Sequence, residues 1–578
     1  MSLRASRSRL ARLALLLGAL ALLLTGCDLP WQAKQSDKAK DQTLKMVWSW
    51  AAIYPDPAQA YGNATIQAIN LLFDGLVTVD RNGRIEPWGA TSWAISPDGL
   101  TYTFQLRPHQ RFSDGTPIKP SDYAWSMDRV ANPCTQSVVA YELAAIKNAA
   151  AFSAQTCEQG PITTLVGNSI FPNDGANTLT IQLAHPAGYF LAMLTTPPFF
   201  VVERSVVSIT GPASNSYWTD HMSDGKTGQG GSGMYYVAAW TRSTLTLKQN
   251  PYWWGRQAGK APHFTEIVIS IQDAHTDGAS AAVFDQFISD SSTAFSSDVT
   301  FLPDMPLSVV QQQSYYHEQP TLIMMDLLLN WKIAPFDDLN ARKAFCLAID
   351  RDQLNEQVFQ GGNMPTWHLV PQGMPSYNAH LRGPDNAPIE GNATLARSYW
   401  QQYLTRHPSW QPPDMWTLFL VAPIAKRVIP LLQTAWTAVL GFHIKLVDLS
   451  GISIPAGAAD EWFKFRPLAI SQWSVDYVDP EDFLSLLYLS NSEYNTQNAS
   501  VPAADALMRQ ADALPDLSQR IPLYQQAEQM LIDNVAVCPL FQYVNRYALR
   551  SWVKGDFVED ARGLFPNDAW ITGYIAKH

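Results

Sequence analysis

Four carboxylic acids fall within seven positions late in the chain: Asp476, Asp479, Glu481 and Asp482 in ISQWSVDYVDPEDFL. Carboxylates could bind a cationic group, or act as an acid-base pair on a glycoside, where the fold sets the required separation. The run from Asp479 to Asp482 predicts a helix start, with Asp at the N-cap, Pro at the first position and two acids facing the positive helix end. Asp476 has no such structural role, so it is the candidate functional acid.

Other patterns that carry chemistry are absent or fail on context. The sequence has no paired His on a helix, no Cys-x-x-Cys and no G-x-S-x-G, so it predicts no metal site and no catalytic residue. In GKTGQGGSG, Gly228, Gly230 and Gly233 match a dinucleotide-binding fingerprint, but a polar loop precedes them and a predicted strand follows. The Gly-Lys-Thr at 225–227 lacks the earlier glycine of a phosphate-binding loop, since Asp220 occupies that position.

The N-terminus predicts export and a lipid anchor. Residues 1–26 combine four arginines with the apolar LALLLGALALLLTG, which is typical of a signal peptide and too short for a comfortable membrane span. The end of this segment, Leu24-Thr25-Gly26-Cys27, resembles the lipobox of bacterial lipoproteins, which implies lipidation of Cys27. The polar residues 27–42 are predicted to be a flexible tether. We therefore expect the protein on the outer face of the cytoplasmic membrane, in a periplasm or at a cell surface, held by lipid only.

Charge and size limit the function classes. Removal of four arginines with the signal peptide changes the formal net charge from −11 to −15, which argues against nucleic acid as a partner. The chain is 47% hydrophobic and 16% charged, so it can bury large cores, and its 578 residues predict two to four domains.

The cysteines suggest one disulfide. In an exported protein, Cys134 and Cys157 favour a disulfide that closes the segment between them. Cys346 lies in a helical pattern and Cys538 in a strand-like one. Both are predicted to be small buried hydrophobic residues.

Helical and strand patterns alternate along the chain, which predicts a mixed α/β fold. GLTYTFQLR at 99–107 alternates polar and apolar residues like a half-buried strand. A helix is predicted from Pro120 to the residues before Pro133, and another ends at Gly441, followed by a strand. The segment 520–544 repeats the order of helix and then strand.

From residue 71 onward the sequence resembles the extracytoplasmic solute-binding proteins of peptide ABC transporters. The resemblance covers nearly all of the mature chain, and its C-terminal end is more similar to the oligopeptide-binding branch. It rests on five blocks in order: LLFDGLVTVDRNGRIEPWGATSWAISPDGLTYTFQLRPHQRFSDGTPIKPSDYAWSMDRV (71–130), GSGMYYVAAWTRSTLTLKQNPYWWG (231–255), LNWKIAPFDDLNARKAFCLAIDRDQL (329–354), GGNMP (361–365) and QWSVDYVDPEDFL (472–484).

This resemblance implies a two-lobed clamp with an additional inserted domain, three domains in all. The clamp would close by a hinge at two crossings, near 324 and 543. The implied function is capture of a peptide and delivery to permease subunits, without catalysis or a cofactor, by a monomer. The implied domains are discontinuous domain I (43–75, 195–324 and 543–578), inserted domain II (76–194) and distal domain III (325–542).

The resemblance also implies a role for Asp476. In oligopeptide-binding relatives, the Asp of the matching W-x-x-D-Y segment pairs with the α-ammonium of the ligand, and here Trp473 and Tyr477 flank that Asp. An enclosed ammonium loses its water, and a charged, hydrogen-bonded partner offsets that loss. Backbone groups around Gln472 and Ser474 are expected to pair with the peptide main chain.

Two features leave the ligand open. Tyr61 is a candidate contact from domain I. The relatives can carry arginines for the peptide carboxylate, whereas the nearest matches here are Ile470 and Glu461. A metal chelate, an opine or a glycan is the alternative ligand for the same transport role, and a secreted hydrolase is the alternative from another class.

Overall fold

The computed structural model describes most of the chain after residue 36. The ranges it describes are 37–49, 55–157, 159–209, 218–219, 222, 230–241, 243–272, 284, 287–288, 297, 299–301, 307–412, 416–419, 425–441, 443, 445–448 and 467–578. Cys27, the predicted signal peptide and residues 27–36 of the predicted tether lie outside these residues, as do Glu461, Lys464 and Arg466.

The strands are numbered in chain order. They are β1 (Thr43–Ser49), β2 (Val77–Val79), β3 (Ile85–Pro87), β4 (Ala90–Ile95), β5 (Thr101–Leu106), β6 (Ile170–Asn173), β7 (Thr178–Gln182), β8 (Tyr235–Trp240), β9 (Thr244–Gln249), β10 (Glu266–Gln272), β11 (Val299–Phe301), β12 (Tyr316–Leu329), β13 (Met364–Pro365), β14 (Trp416–Phe419), β15 (Leu446–Asp448), β16 (Leu468–Ser474), β17 (Cys538–Leu549), β18 (Val553–Lys554) and β19 (Tyr574–Ile575).

The helices are numbered likewise, and short 3-10 turns connect several of them. They are α1 (Asn63–Leu72), α2 (Pro120–Ala131), α3 (Ala149–Ser153), α4 (Phe190–Met193), α5 (Arg204–Ile209), α6 (Trp254–Gln257), α7 (Leu307–Val310), α8 (Leu339–Leu347), α9 (Arg351–Phe359), α10 (Ala393–Arg406), α11 (Ala425–Leu440), α12 (Ser485–Tyr488), α13 (Pro502–Asp512), α14 (Leu517–Asp533) and α15 (Asn567–Thr572).

A large mixed sheet runs through two halves of the molecule. Its order is β15-β14-β16-β12-β17-β11-β1-β10-β9-β8, with β13 added beside β17. The two longest strands, β12 and β17, are antiparallel neighbours at the centre of this order, and their register shifts between Pro320 and Met324. On one side of the shift the sheet continues to β11 and β1, and on the other to β16. β12 and β17 therefore connect the halves.

Each half has its own apolar core, and a smaller sheet has a third. Trp48 and Trp570 are buried with β1 and β10, whereas Trp400 and Trp436 are buried beside α8 and β16. The small sheet, β4-β5-β7-β6, is antiparallel and packs on the apolar face of α2. Separate cores fit a protein whose parts can move relative to one another.

The predicted elements that fall in the described residues agree with the structure. The strand predicted at 99–107 is β5, and the helix predicted from Pro120 is α2. Helix α11 ends before Gly441, whose φ of +77° is readily adopted by glycine. The segment 520–544 forms α14 and then β17. Strand β8 follows the glycine-rich loop, so the context that excludes a dinucleotide site is as predicted.

One disulfide agrees with the sequence and the other corrects it. Cys134 and Cys157 are bonded, as predicted. Cys346 and Cys538, predicted as separate buried residues, are also bonded, with their Cα atoms 5.6 Å apart. The pattern of each segment showed its burial but not its neighbour, because α8 and β17 are 192 residues apart in sequence.

The start of the described chain corrects the predicted tether. Ala39 donates its backbone N–H to Ile575 at 2.9 Å, and the backbone N–H of Lys577 donates to Asp37 at 2.9 Å. The buried side chain of Gln42 donates to the carbonyl of Ile575 and accepts from its N–H. Residues 37–42 are therefore held against the C-terminal segment, because polar side chains here satisfy backbone groups instead of water.

No helix in the described ranges is long and apolar enough to cross a membrane.

Candidate functional site

The candidate site lies just beyond the end of β16 in the large sheet. Residues Leu468–Ser474 form that strand, and Asp476 follows two positions later. Across from it lies a 3-10 turn, Ala140–Leu143, which packs with the core of the small sheet. The site is therefore built from two separately folded parts.

A hydrogen bond joins these parts at Asp476. The hydroxyl of Tyr141 donates to Oδ2 of Asp476 at 2.7 Å. Burial raises the pKa of Asp476 to about 6, and the hydrogen bond from Tyr141 opposes that rise because it favours the carboxylate. Burial also raises the pKa of Tyr141, so the phenol keeps its proton and acts as the donor.

Trp473 contacts a second acid of the same segment. Its indole Nε1 donates to Oδ2 of Asp482 at 3.2 Å, and the backbone N–H of Asp476 donates to the same oxygen at 3.3 Å. Asp482 is fully buried, and burial raises its pKa well above the usual range, with the nearby charge of Asp476 adding to the rise. This carboxyl fixes the loop that presents Asp476.

Aromatic rings line the same place. The ring of Tyr494 lies 5.5 Å from that of Tyr141 and 5.6 Å from that of Trp473, the second pair edge to face. Rings in this arrangement offer apolar faces and negative π-surface, both of which suit an alkylammonium group.

The predicted helix start is a single 3-10 turn, Pro480–Asp482. Asp479 does act as the cap, and it accepts from the N–H of Glu481 at 3.0 Å. It also forms a buried two-point ion pair with Arg520, with distances of 2.8 and 2.6 Å. Glu481 and Asp482 are buried and make specific hydrogen bonds, so the helix dipole does not account for them. The prediction that assigned these acids only to a helix start is therefore wrong.

Tyr477 is not placed as a ligand contact, which corrects the sequence expectation. Its side chain is 3% exposed, its hydroxyl donates to Glu481, and its ring stacks on Tyr189 at 6.2 Å. Neighbouring residues of an extended chain point to opposite faces, so Tyr477 enters the core of the small sheet while Asp476 faces Tyr141.

Gln472 and Ser474 lie on β16 where one edge is available. β16 pairs with β12 along its whole length, but β14 reaches only Leu468 and Ala469. Among the described residues, no strand pairs with 470–474 on that second side. A free edge of this kind can accept an extended peptide as an added strand.

The remaining candidate, Tyr61, is not brought to the other site residues by any contact described above. It precedes α1 and is 83% exposed. Exposure of a whole tyrosine side chain is unusual in a stable surface.

Three important residues were missed by the sequence reasoning. Tyr141, Glu142 and Tyr494 belong to no local motif, because their role depends on the contact between distant segments. For Asp482, the helix-start pattern concealed a second role. Its signal was the excess of acids, since a single turn does not need three of them.

The described residues contain no group of His, Cys, Asp or Glu arranged to hold a metal ion. The arrangement is instead suited to binding a cationic organic group, with carboxyl groups, aromatic faces and a free strand edge in one place.

Comparison with known proteins identifies related sequences over most of the chain. Residues 84–495 match the family model of the bacterial extracellular solute-binding proteins, family 5 Middle. The periplasmic murein peptide-binding protein MppA of Escherichia coli K12 is 26% identical over 535 residues, covering 90% of this chain and 91% of MppA. The periplasmic oligopeptide-binding protein OppA of the same organism is 26% identical over 541 residues, covering 90% of each chain.

A solved structure shares the fold. The unliganded open form of the murein tripeptide-binding protein MppA superposes with a TM-score of 0.71 at 24% identity, covering 94% of this chain and 99% of that one. The predicted mixed α/β, two-lobed architecture is confirmed.

Proposed function

The chain belongs to the bacterial extracellular solute-binding proteins of family 5, and on that premise we propose that it captures short peptides and delivers them to the permease subunits of an ABC importer. Its relatives include proteins named for murein peptides and for oligopeptides. The observation that carries the proposal is the buried carboxyl of Asp476 at a contact between two parts of the molecule.

The ligand's α-ammonium would take the place of the Tyr141 hydroxyl or share Asp476 with it. A buried carboxylate with a single neutral donor has unused acceptor capacity, and an ammonium supplies both charge and hydrogen bonds. The peptide main chain would then extend along the free edge of β16 at Gln472 and Ser474, which gives affinity without side-chain specificity.

Closure around the peptide would use the long central strands. The division into domain I, domain II and domain III, with crossings near 324 and 543, remains a proposal. The register shift between Pro320 and Met324 in β12 supports it, since irregular pairing lets a strand change direction.

The proposed anchor is lipid on Cys27. Replacement of Cys27 by Ala is expected to release the protein from membranes into the soluble extracytoplasmic fraction, because one lipid-bearing residue then no longer holds it. Fractionation with an antibody against the mature protein checks this. Retention of the variant on membranes would contradict the anchor without affecting the peptide proposal.

Calorimetric titration of the mature protein with trialanine and N-acetyl-trialanine tests peptide capture. We expect trialanine to bind and the acetylated peptide to bind far more weakly, because it lacks the ammonium. Asp476→Ala should weaken trialanine binding by about 2 to 5 kcal/mol, the cost of leaving a buried charge unpaired.

The matched control is Asp352→Ala, which removes an exposed acid from α9 and should leave binding unchanged. Equal affinity for the two peptides would show that Asp476 does not hold an α-ammonium.

A further inference from the structure

Three acids surround the place proposed for the ligand's amino end. Asp476 and Asp482 follow β16, and Glu142 is next to Tyr141 on the opposite side. Glu142 is buried, and its Oε2 accepts from the hydroxyl of Thr196 at 2.5 Å. Burial raises the pKa of Glu142, and the charge of Asp476 raises it further, so the acids of the two sides affect each other.

No positive charge balances these acids in the described part of the chain. The partners of Asp476, Asp482 and Glu142 there are hydroxyl, indole and backbone donors, and none is Lys, Arg or His. The contrast with Asp479 is clear, because that neighbouring acid is fully paired with Arg520. One ligand ammonium would offset one of the three acids.

A second observation points to a ligand. Oδ1 of Asp482 is buried and has no hydrogen-bond partner, although Oδ2 of the same carboxyl accepts from the backbone of Asp476. A buried oxygen without a partner is costly, so it is a natural acceptor for a group that arrives from outside. Because Oδ2 accepts from Asp476, the unused oxygen lies at the Asp476 site.

The acids are spaced for separate cationic groups. No set of three carboxyl groups in the described residues is close enough to hold one metal ion. The rings of Tyr141, Tyr494 and Trp473 adjoin the acids, and aromatic faces favour organic cations with alkyl stems.

We propose that this site selects a ligand end with two positive charges: an ammonium on Asp476 and a second cationic group between Asp482 and Glu142. This rests on the proposed function. For a peptide, the second charge is the side chain of a basic first residue, whose ammonium lies at the end of a flexible four-carbon stem in lysine. A free diamine has the same chemistry, so the experiment includes both sources.

The test compares ligands that differ only in the second charge. Calorimetric titrations use Lys-Ala-Ala and norleucine-Ala-Ala, which share the length of the stem, and Ala-Lys-Ala, which moves the charge by one residue. Putrescine and butylamine form the second pair. We expect Lys-Ala-Ala to bind about tenfold or more tighter than the norleucine peptide, as close charge pairs do, and Ala-Lys-Ala to show no such gain.

Variants locate the second charge. Glu142→Gln and Asp482→Asn each keep hydrogen-bonding groups and remove one acid. Each should reduce the preference for lysine over norleucine and leave binding of the norleucine peptide close to that of the wild type. Glu203→Gln is the matched control, because Glu203 is also buried but contacts Ser205 away from this site. It should keep the preference, and thermal melting checks that each variant is folded.

The outcomes separate the two proposals. Equal affinity for the lysine and norleucine peptides overturns the second charge while peptide capture stands. Binding of putrescine but of no peptide supports the doubly charged ligand and overturns peptide capture. Binding of neither peptides nor diamine overturns both. A preference that survives in both Glu142→Gln and Asp482→Asn overturns the assignment to these acids.

Discussion

The guanidinium of Arg520 contacts both carboxylate oxygens of Asp479, and the two side chains are 1% and 5% exposed. This pair fixes the turn after Asp476, since Asp479 also caps that turn. The backbone N–H of Gly188 donates to the carbonyl of Asp512 at 2.8 Å nearby, so the same region joins the small sheet to α13.

We expect Arg520→Met to lower the free energy of unfolding by about 3 to 5 kcal/mol, because it leaves Asp479 buried without its counter-charge. Urea denaturation followed by tryptophan fluorescence measures the loss. Adding Asp479→Asn should recover much of it, since the unpaired charge is then removed while the cap remains. A double variant as unstable as the single one would show that packing, and not charge, causes the loss.

Ligand binding should depend on pH through Asp476. Its pKa is raised to about 6, so the carboxyl of the free protein is protonated below that pH and must lose a proton to pair with an ammonium. Affinity for trialanine should therefore fall about tenfold per pH unit below about pH 6 and stay level from there to about pH 8, where the peptide amine begins to lose its charge. Calorimetry from pH 4.5 to 8 checks this, and constant affinity across the acid range would contradict it.

Stability should fall as pH rises from about 4 to 8. Burial raises the pKa of both Asp326 and Glu559 to about 8, and that of Glu528 to about 7, whereas the unfolded chain titrates near 4. The folded protein therefore holds more protons in this window, and linkage makes the free energy of unfolding decrease with pH. Melting temperatures at pH 5 and pH 8 measure the effect. Asp326→Asn should make the decrease smaller, and an unchanged decrease would exclude Asp326 as a cause.

The two disulfides should differ in their contribution to stability. Cys346–Cys538 joins residues 192 apart, and Cys134–Cys157 joins residues 23 apart. Chain entropy makes the longer closure worth about 2 kcal/mol more. Paired replacement of each disulfide by alanines, compared by urea denaturation, tests this order. A larger loss from the short loop would show that native contacts outweigh the entropy of the unfolded chain.

The sequence predicted elements better than it predicted contacts. The periodicity of 99–107 and of α14 was sufficient because burial of one face repeats at regular spacing along the chain. Cys346 and Cys538 were each placed in the right kind of element, but their bond depends on tertiary structure.

The site shows the same limit. Asp476 was found because the helix-start pattern left it without a local role, and the family resemblance gave it a function. Tyr141 could not be found that way, because it reaches Asp476 across 335 positions of sequence. Tyr477 was included only as a neighbour, and the alternation of an extended chain places it on the other face.

The pairing of residues 37–42 with the last strand has a practical consequence for handling the protein. Both ends of the described chain emerge side by side, since Lys38 forms a bridge with Ala576. Ten residue steps from Cys27 to Asp37 span at most about 35 Å. A purification tag added after His578 would thus share the face that an anchored molecule turns toward the bilayer. Immobilisation through that tag would leave the ligand-binding side facing the solvent, much as the membrane would.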